Sequence, residues 1–156
     1  MAESKKDLKY FMRDNSDEIV TVPGPDTFKD ENGNVIQLQI KALSQAEIDD
    51  LNDKYRTKGI ATDKKGNPLI SRGEVVWKTE RDSVHATQMM IVKALVYPNL
   101  ADPDLMDYYH CVDVTEMPRK VFSRTAEYTT VLKAVMEVCG IIDKDDEKAT
   151  LEEAKN

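Results

Sequence analysis

Leu95-Val96-Tyr97-Pro98-Asn99-Leu100-Ala101-Asp102-Pro103-Asp104-Leu105 is the stretch that decides how this chain folds. Before it, Val84, Gln88, Ile91 and Leu95 recur along one line, and Met89, Met90, Val92 and Val96 widen the apolar arc. That spacing predicts a helix over 82–96, lying centrally in a helical layer because it is apolar on more than one side. Pro98 stops it, since proline disfavours helical geometry in the residue before it. Asp102-Pro103 then supplies an N-cap with proline at the first helical position, opening a short helix through Leu105, Met106 and Tyr109. Thr115-Glu116-Met117-Pro118 opens another, through Val121 and Phe122. A last helix, 124–139, aligns Tyr128, Val131, Leu132, Val135 and Val138, and Gly140 ends it.

The amino-terminal side reads differently. Thr27-Phe28-Lys29 leads into Glu31-Asn32-Gly33-Asn34, where Asn-Gly signals a tight hairpin turn with positive φ at both residues. The return strand Val35–Lys41 alternates: Ile36, Leu38 and Ile40 face one way, Gln37, Gln39 and Lys41 the other. Ser44-Gln45-Ala46-Glu47 is a capping box and opens a helix over 45–57 that buries Ile48, Leu51 and Tyr55, with Gly59 ending it. Residues 60–80 read as an exposed excursion, with a turn at Lys65-Gly66-Asn67-Pro68 and a short strand at Glu74-Val75-Val76-Trp77.

These elements imply one α+β domain over 26–142, an amino-terminal β-hairpin packed on a mostly helical body. Pro23-Gly24-Pro25 marks its edge. Residues 1–25 are expected to form a flexible arm, in which Leu8, Phe11 and Met12 share one side of two helical turns. So short a helix is marginal alone and must dock on its own domain or on a partner. Residues 143–156 carry six acids against three lysines, and this acidic tail is expected to be disordered.

The charge balance of -7 and the lack of dense basic clusters argue against nucleic-acid binding; Lys5-Lys6 and Lys64-Lys65 are pairs, not patches. No apolar run approaches the ~20 residues of a membrane span, and no amino-terminal charged-then-apolar run resembles a signal peptide. Cys111 and Cys139 make no disulfide framework, so a reducing cytoplasm is the expected compartment. No catalytic or metal constellation emerges either. His85 and His110 lack companions at zinc spacing. The run from Asp143 lacks the glycine and the closing glutamate of a calcium loop. The glycines at 59, 66 and 73 form no phosphate cradle. Neither a cofactor nor an enzyme activity is expected.

Taken in order, several landmarks resemble the XkdN-like tail assembly chaperones of long-tailed bacteriophages and phage-like elements. They are Phe28-Lys29-Asp30-Glu31-Asn32-Gly33 before the alternating strand, Ala42-Leu43-Ser44, Val96-Tyr97-Pro98-Asn99-Leu100 with Asp104-Leu105, Glu127-Tyr128 with Val131-Leu132, Gly140, and the closing Glu152-Glu153-Ala154-Lys155-Asn156. The likeness covers about 26–156 and is loose between 58 and 82. Where the family pattern has Pro-Gly before the Glu-Tyr pair, this chain has Arg124-Thr125-Ala126.

The resemblance implies a non-catalytic protein that coats the apolar, helical tape measure protein in the host cytoplasm and helps recruit tail tube subunits. It also implies absence from the finished virion, and leaves room for self-association. Leu8, Phe11 and Met12 are the partner-binding candidates. Lys155-Asn156 can be written with a run of adenines, which suggests a -1 frameshift into a longer product. The competing reading is a structural tail terminator or connector.

Overall fold

The computed structural model describes residues 6–12 and 18–142. Its strands and helices, in chain order, are β1 (Ile19–Pro23), β2 (Gln37–Lys41), α1 (Gln45–Lys54), β3 (Arg56–Ile60), β4 (Ile70–Ser71), β5 (Glu74–Val75), β6 (Trp77–Arg81), α2 (Ser83–Ala94), β7 (Leu95–Tyr97), α3 (Pro103–Tyr108), α4 (Met117–Val121) and α5 (Thr125–Val138). A single 3-10 turn, Leu8–Phe11, precedes them, and another, Val114–Glu116, leads into α4. The α+β reading holds: a small sheet near the amino terminus packs on a helical body.

The sheet is larger than the hairpin expected. β2 is its centre, paired antiparallel with β1 on one side and with β7 on the other. Leu38 and Ile40 point from β2 into the core while Gln37 and Gln39 stay exposed, as the alternation requires. Residues 19–23, assigned from sequence to the flexible arm, are therefore an edge strand. Ile19-Val20-Thr21-Val22 is β-branched throughout, and Pro23 is tolerated at the strand end on the sheet's edge. Pro23-Gly24-Pro25 is not a domain edge but a crossing point. The Gly24 N–H donates to the Ile36 carbonyl at 3.0 Å, and a Cβ on Gly24 would stand 2.6 Å from that oxygen.

The hairpin tip also differs in type. Only Gly33 has positive φ (83°), and Asp30 organises the turn: its Oδ1 accepts the N–H groups of Asn32 and Asn34 at 2.8 and 2.9 Å. A carboxylate that satisfies two backbone donors does the work that a second left-handed residue would do in a two-residue turn.

At the Leu95–Leu105 stretch, α2 ends at Ala94, one residue before the expected line is complete. Leu95 turns extended (ψ 111°), and Leu95–Tyr97 becomes β7. Pro98 forces extended geometry just before it, and extended backbone beside β2 finds hydrogen-bond partners there. Beyond the elbow the caps are as expected. Asp102 Oδ1 accepts from Asp104 and Leu105, and Asp113 Oδ1 from Thr115. At the far end of α5, Gly140 adopts φ 74°, its N–H donates to the Glu137 carbonyl, and the Ile141 N–H reaches the Met136 carbonyl. That pair of bonds is a Schellman closure.

α2 is the hub of the core. Its Met90, Ile91, Val92 and Ala94 are buried against β2, α4 and α5, with Leu100, Met117, Phe122, Val131 and Val135 completing the cluster. Val84, expected on the same line, is exposed. Gln88 is buried, and its Oε1 has no hydrogen-bond partner among the described residues.

Candidate functional site

Among the described residues the protein offers three kinds of uncovered apolar surface: the amino-terminal turn, grooves on the helical body, and a projecting ribbon. The turn comes first in the chain. Asp7 caps it by accepting the Lys9 N–H at 2.9 Å, and the Met12 N–H closes it on the Lys9 carbonyl. Leu8, Phe11 and Met12 are 68%, 86% and 75% exposed, and Tyr10, which the sequence reading passed over, is as bare. The turn is 3-10 rather than α-helical, so Leu8 and Phe11, three residues apart, fall on the same side of it.

Two of the open grooves on the body are large. One, about 530 Å³, lies between α1, α2 and α5 and is lined by Ile48, Leu51, Met90, Leu132, Met136 and Ile141 among others. The other, about 700 Å³, runs between β1 and α5, with Val20, Val22 and Val138 on its walls beside Lys133 and Glu137.

The ribbon is what sequence reasoning described least well. α1 ends at Lys54, and Gly59, expected to cap it, lies inside β3. β3 pairs with β6 in a ladder from Arg56 opposite Arg81 to Ile60 opposite Trp77. Beyond that ladder the chain splits into two small hairpins. One turns at Asp63-Lys64-Lys65-Gly66-Asn67 with the same geometry as the Asp30 turn: Asp63 Oδ1 accepts from Lys65 and Asn67, both at 2.9 Å. The other is β4–β5, turning at Arg72-Gly73, where both residues have positive φ. Three backbone bonds linking Ala61, Leu69 and Val76 close the junction. Every residue of β3 to β6 is exposed, including Trp77 at 65% and Ile70 at 69%.

The foot of the ribbon is fastened to α2. The Asp82 N–H donates to the Tyr55 carbonyl at 2.8 Å. Asp82 caps α2 by accepting the His85 N–H, and its other oxygen lies 2.6 Å from His85 Nδ1. The backbone N–H of His85, foremost, holds the Asp82 carboxyl below its usual range. The imidazole stacks on Tyr55, with ring centroids 6.3 Å apart.

A second polar tie fixes α5. Glu127 is buried; its carboxylate accepts the Thr27 hydroxyl through one oxygen and the Arg124 N–H through the other, at 3.1 Å. These bonds, the Thr27 hydroxyl first, lower its pKa against the opposing cost of burial. Thus Glu127 replaces the missing capping side chain at Arg124 and pins the start of α5 to the loop after β1.

Nothing in these surroundings builds a reactive centre among the described residues. Burial pushes the Cys139 thiol up, away from the thiolate form that attacks substrates. The Cys111 thiol points at the Asp113 carbonyl, 3.0 Å away. No group of three or more His, Cys, Asp or Glu among the described residues could hold a metal, and no helix there is long and apolar enough to cross a membrane. The acidic run from Asp143 lies outside the described residues.

The turn, the grooves and the ribbon thus leave apolar side chains uncovered on three separate parts of the molecule. The family of Phage XkdN-like tail assembly chaperone proteins matches residues 8–155. The chain belongs to this family. It is 30% identical to the phage-like element PBSX protein XkdN of Bacillus subtilis (strain 168), over 99% of this chain and 97% of that one. It is 32% identical to YqbN of the same strain, over 97% of this chain and 94% of that one. The crystal structure of YqbN superposes with a TM-score of 0.66 at 26% identity, covering 90% of this chain and 100% of that chain.

Proposed function

We propose that this tail assembly chaperone binds the tape measure protein, keeps it soluble, and helps bring tail tube subunits to it in the host cytoplasm without remaining in the virion. The observation that carries this reading is a family match along nearly the whole chain, joined to apolar side chains left bare at Leu8, Phe11 and Met12. A long apolar helical client needs its stripe covered, and grooves between helices accept such stripes through spaced apolar anchors. The groove between α1, α2 and α5 supplies the walls, and the amino-terminal turn supplies three large side chains.

Co-expression with the tape measure protein is the test. The chaperone should raise the soluble fraction of the client and co-purify with it. Replacing Leu8, Phe11 and Met12 together by serine should reduce both effects without altering the chaperone's own melting temperature. No gain in solubility and no co-purification would remove the reading, and recovery of the protein from purified particles would favour a tail terminator. We read the Lys155-Asn156 end as the site of a -1 frameshift; mixed codons with no slippery run of adenines there would reject that part alone.

A further inference from the structure

The groove between α1, α2 and α5 is apolar inside and acidic along both of its sides. Inside, Ile48, Met90, Leu132, Met136 and Ile141 face a space of about 530 Å³, and Arg81 is the single charged side chain among the lining residues. α1 and α5 both pack on α2, and the groove opens in the space left between them. Ala86, Thr87 and Gly140 on its wall are small, so a cylinder as wide as a helix can come close. The two methionines have flexible side chains that adapt to the shape that enters.

The acids flank this space from two directions. On one side, Gln45, Ile48 and Asn52 of α1 line the groove, and the exposed Asp49 and Asp53 stand on the next strip of the same helix. α1 holds four acids against one lysine. Arg56 meets Asp53 at 3.5 Å and Lys41 meets Glu47 at 3.4 Å, but Asp49 and Asp50 have no cation partner among the described residues. On the other side, the chain leaves α5 through Ile141, a wall residue, and Asp143 then begins a stretch of six acids against three lysines. Each flank thus brings a net -3 in a chain of -7. The field reaches the wall itself: burial foremost, with the Glu47 carboxylate adding to it, pushes up the Cys139 thiol.

We infer that the groove seats an amphipathic client helix whose apolar stripe is bordered by lysines and arginines, an inference that rests on the reading of this protein as a tape measure chaperone. Apolar anchors at helical spacing enter between α1 and α5, while cations beside the stripe meet Asp49, Asp50 and the acids that follow Ile142. An extended segment fits poorly. The three helices offer no strand edge to its N–H and C=O groups, whereas a helix satisfies its own. The chain's own tail is a poor occupant, since Leu151 is the single large aliphatic or aromatic side chain in 143–156 and its net charge has the sign of α1. Nucleic acids and anionic membrane surfaces are repelled by the same field.

The test uses the purified full chain and three labelled synthetic helical peptides of about 20 residues, roughly 30 Å long. All three carry the same leucine stripe, and their remaining positions are filled with lysine, glutamine or glutamate in turn. By fluorescence anisotropy at about 50 mM salt, the lysine peptide should bind about tenfold tighter than the glutamine peptide, the effect of a few exposed ion pairs, and the glutamate peptide should bind weakest. At about 500 mM salt the three affinities should converge, because exposed charges are screened over about a Debye length.

Variants of the chain locate the contact. Asp49→Asn with Asp50→Asn changes exposed positions only, and should cut the preference for lysine about threefold while leaving the glutamine peptide unaffected. Met136→Gln should weaken all three peptides about tenfold; the aspartate variant decides the matter if this one does not fold. Equal affinity for the lysine and glutamate peptides at low salt overturns the inference, as does no binding of any peptide, and neither result bears on co-purification of the tape measure protein. Conversely, a tape measure protein that fails to co-purify while the lysine peptide binds would remove the client and leave the groove its preference. A preference for lysine undiminished by the aspartate variant would place the contact elsewhere and overturn the groove as its site. So would peptide affinity that rises when residues 143–156 are removed, which would make the tail the occupant, or a Met136→Gln chain that sediments differently from wild type, which would make it a second copy.

Discussion

Ile91 and Ile70 are the same residue in opposite circumstances. Ile91 lies in α2 with no exposed surface, touched on every side by the cluster that includes Leu100, Met117, Val131 and Val135. Ile70 sits near the end of the ribbon with most of its side chain in water. Both regions are held by hydrogen bonds, but only the body has something to lose when a side chain is shortened. The body stores the stability of the fold in burial, whereas the ribbon stores none there and keeps its apolar groups available. If that contrast is right, substitutions should sort by region before they sort by residue type.

The largest effect belongs to the body's centre. Ile91→Ala removes a fully buried side chain that its neighbours cannot replace, and should cost about 3 to 4 kcal/mol in urea unfolding at neutral pH. A cost below about 1 kcal/mol would mean that α2 is not the hub. Next comes the crossing at Gly24, where sheet and loop meet. A methyl group there would lie 2.6 Å from a backbone oxygen that cannot swing aside, so Gly24→Ala should cost about 1 to 3 kcal/mol by forcing β1 from β2. Unchanged stability would show that the edge strand shifts freely.

Much of the body could be read from its residues in advance, and the reason is physical. Caps and periodic apolar stripes are local signals, and Ser44, Asp102, Gly140 and the α5 stripe each sit where their spacing says. What escaped was non-local. Leu95-Val96-Tyr97 continues a helical pattern and becomes a strand only because β2 lies beside it. Likewise Ile19–Pro23 becomes a strand because its partner stands some twenty residues later. The ribbon escaped for a third reason. A two-stranded ribbon exposed on both faces has no buried side to impose alternation on Arg56-Thr57-Lys58-Gly59-Ile60. Its cations, pairs when read along the chain, become one basic surface only when the ladder brings β3 and β6 together. Of the proposed binding residues, the exposure of Leu8, Phe11 and Met12 followed from their place in a short terminal segment; the ribbon's Trp77 and Ile70 gave no such hint.

A smaller effect probes the tie between the regions' common frame and α5. Glu127→Gln keeps the shape but weakens the bonds to Thr27 and the Arg124 N–H, and should cost about 1 to 2 kcal/mol at pH 7. Its pH dependence has a definite sign. The folded-state pKa of Glu127 is lowered, so its ionisation contributes stability that is present above the ordinary glutamate pKa of 4.5 and is lost as pH falls through the folded value. The gap in melting temperature between wild type and Glu127→Gln should therefore be widest near neutrality and close in acid. A gap that stays constant with pH would assign Glu127 a packing role instead.

The smallest expected effect is the sharpest test of the contrast, because it removes the most residues. Thr57 and Glu80 are cross-strand partners, so residues 58–79 can be replaced by an Asn-Gly turn that joins the two at the spacing they already have. None of the deleted residues belongs to the buried core cluster, and the fastening of Tyr55, Asp82 and His85 remains below the cut. Unfolding followed by helical circular dichroism should shift by less than about 0.5 kcal/mol, the range of surface changes that touch nothing buried. In the intact chain, the same logic applies to the single tryptophan. Under dilute, high-salt conditions Trp77 emission should be quenched by acrylamide almost as readily before unfolding as after it. A large loss of stability in the shortened chain, or a strongly protected Trp77 under those conditions, would mean that the ribbon folds down on its own body. The two regions would then share one core, and the exposed residues of the ribbon would be contributing to the fold of a single copy rather than waiting for another surface.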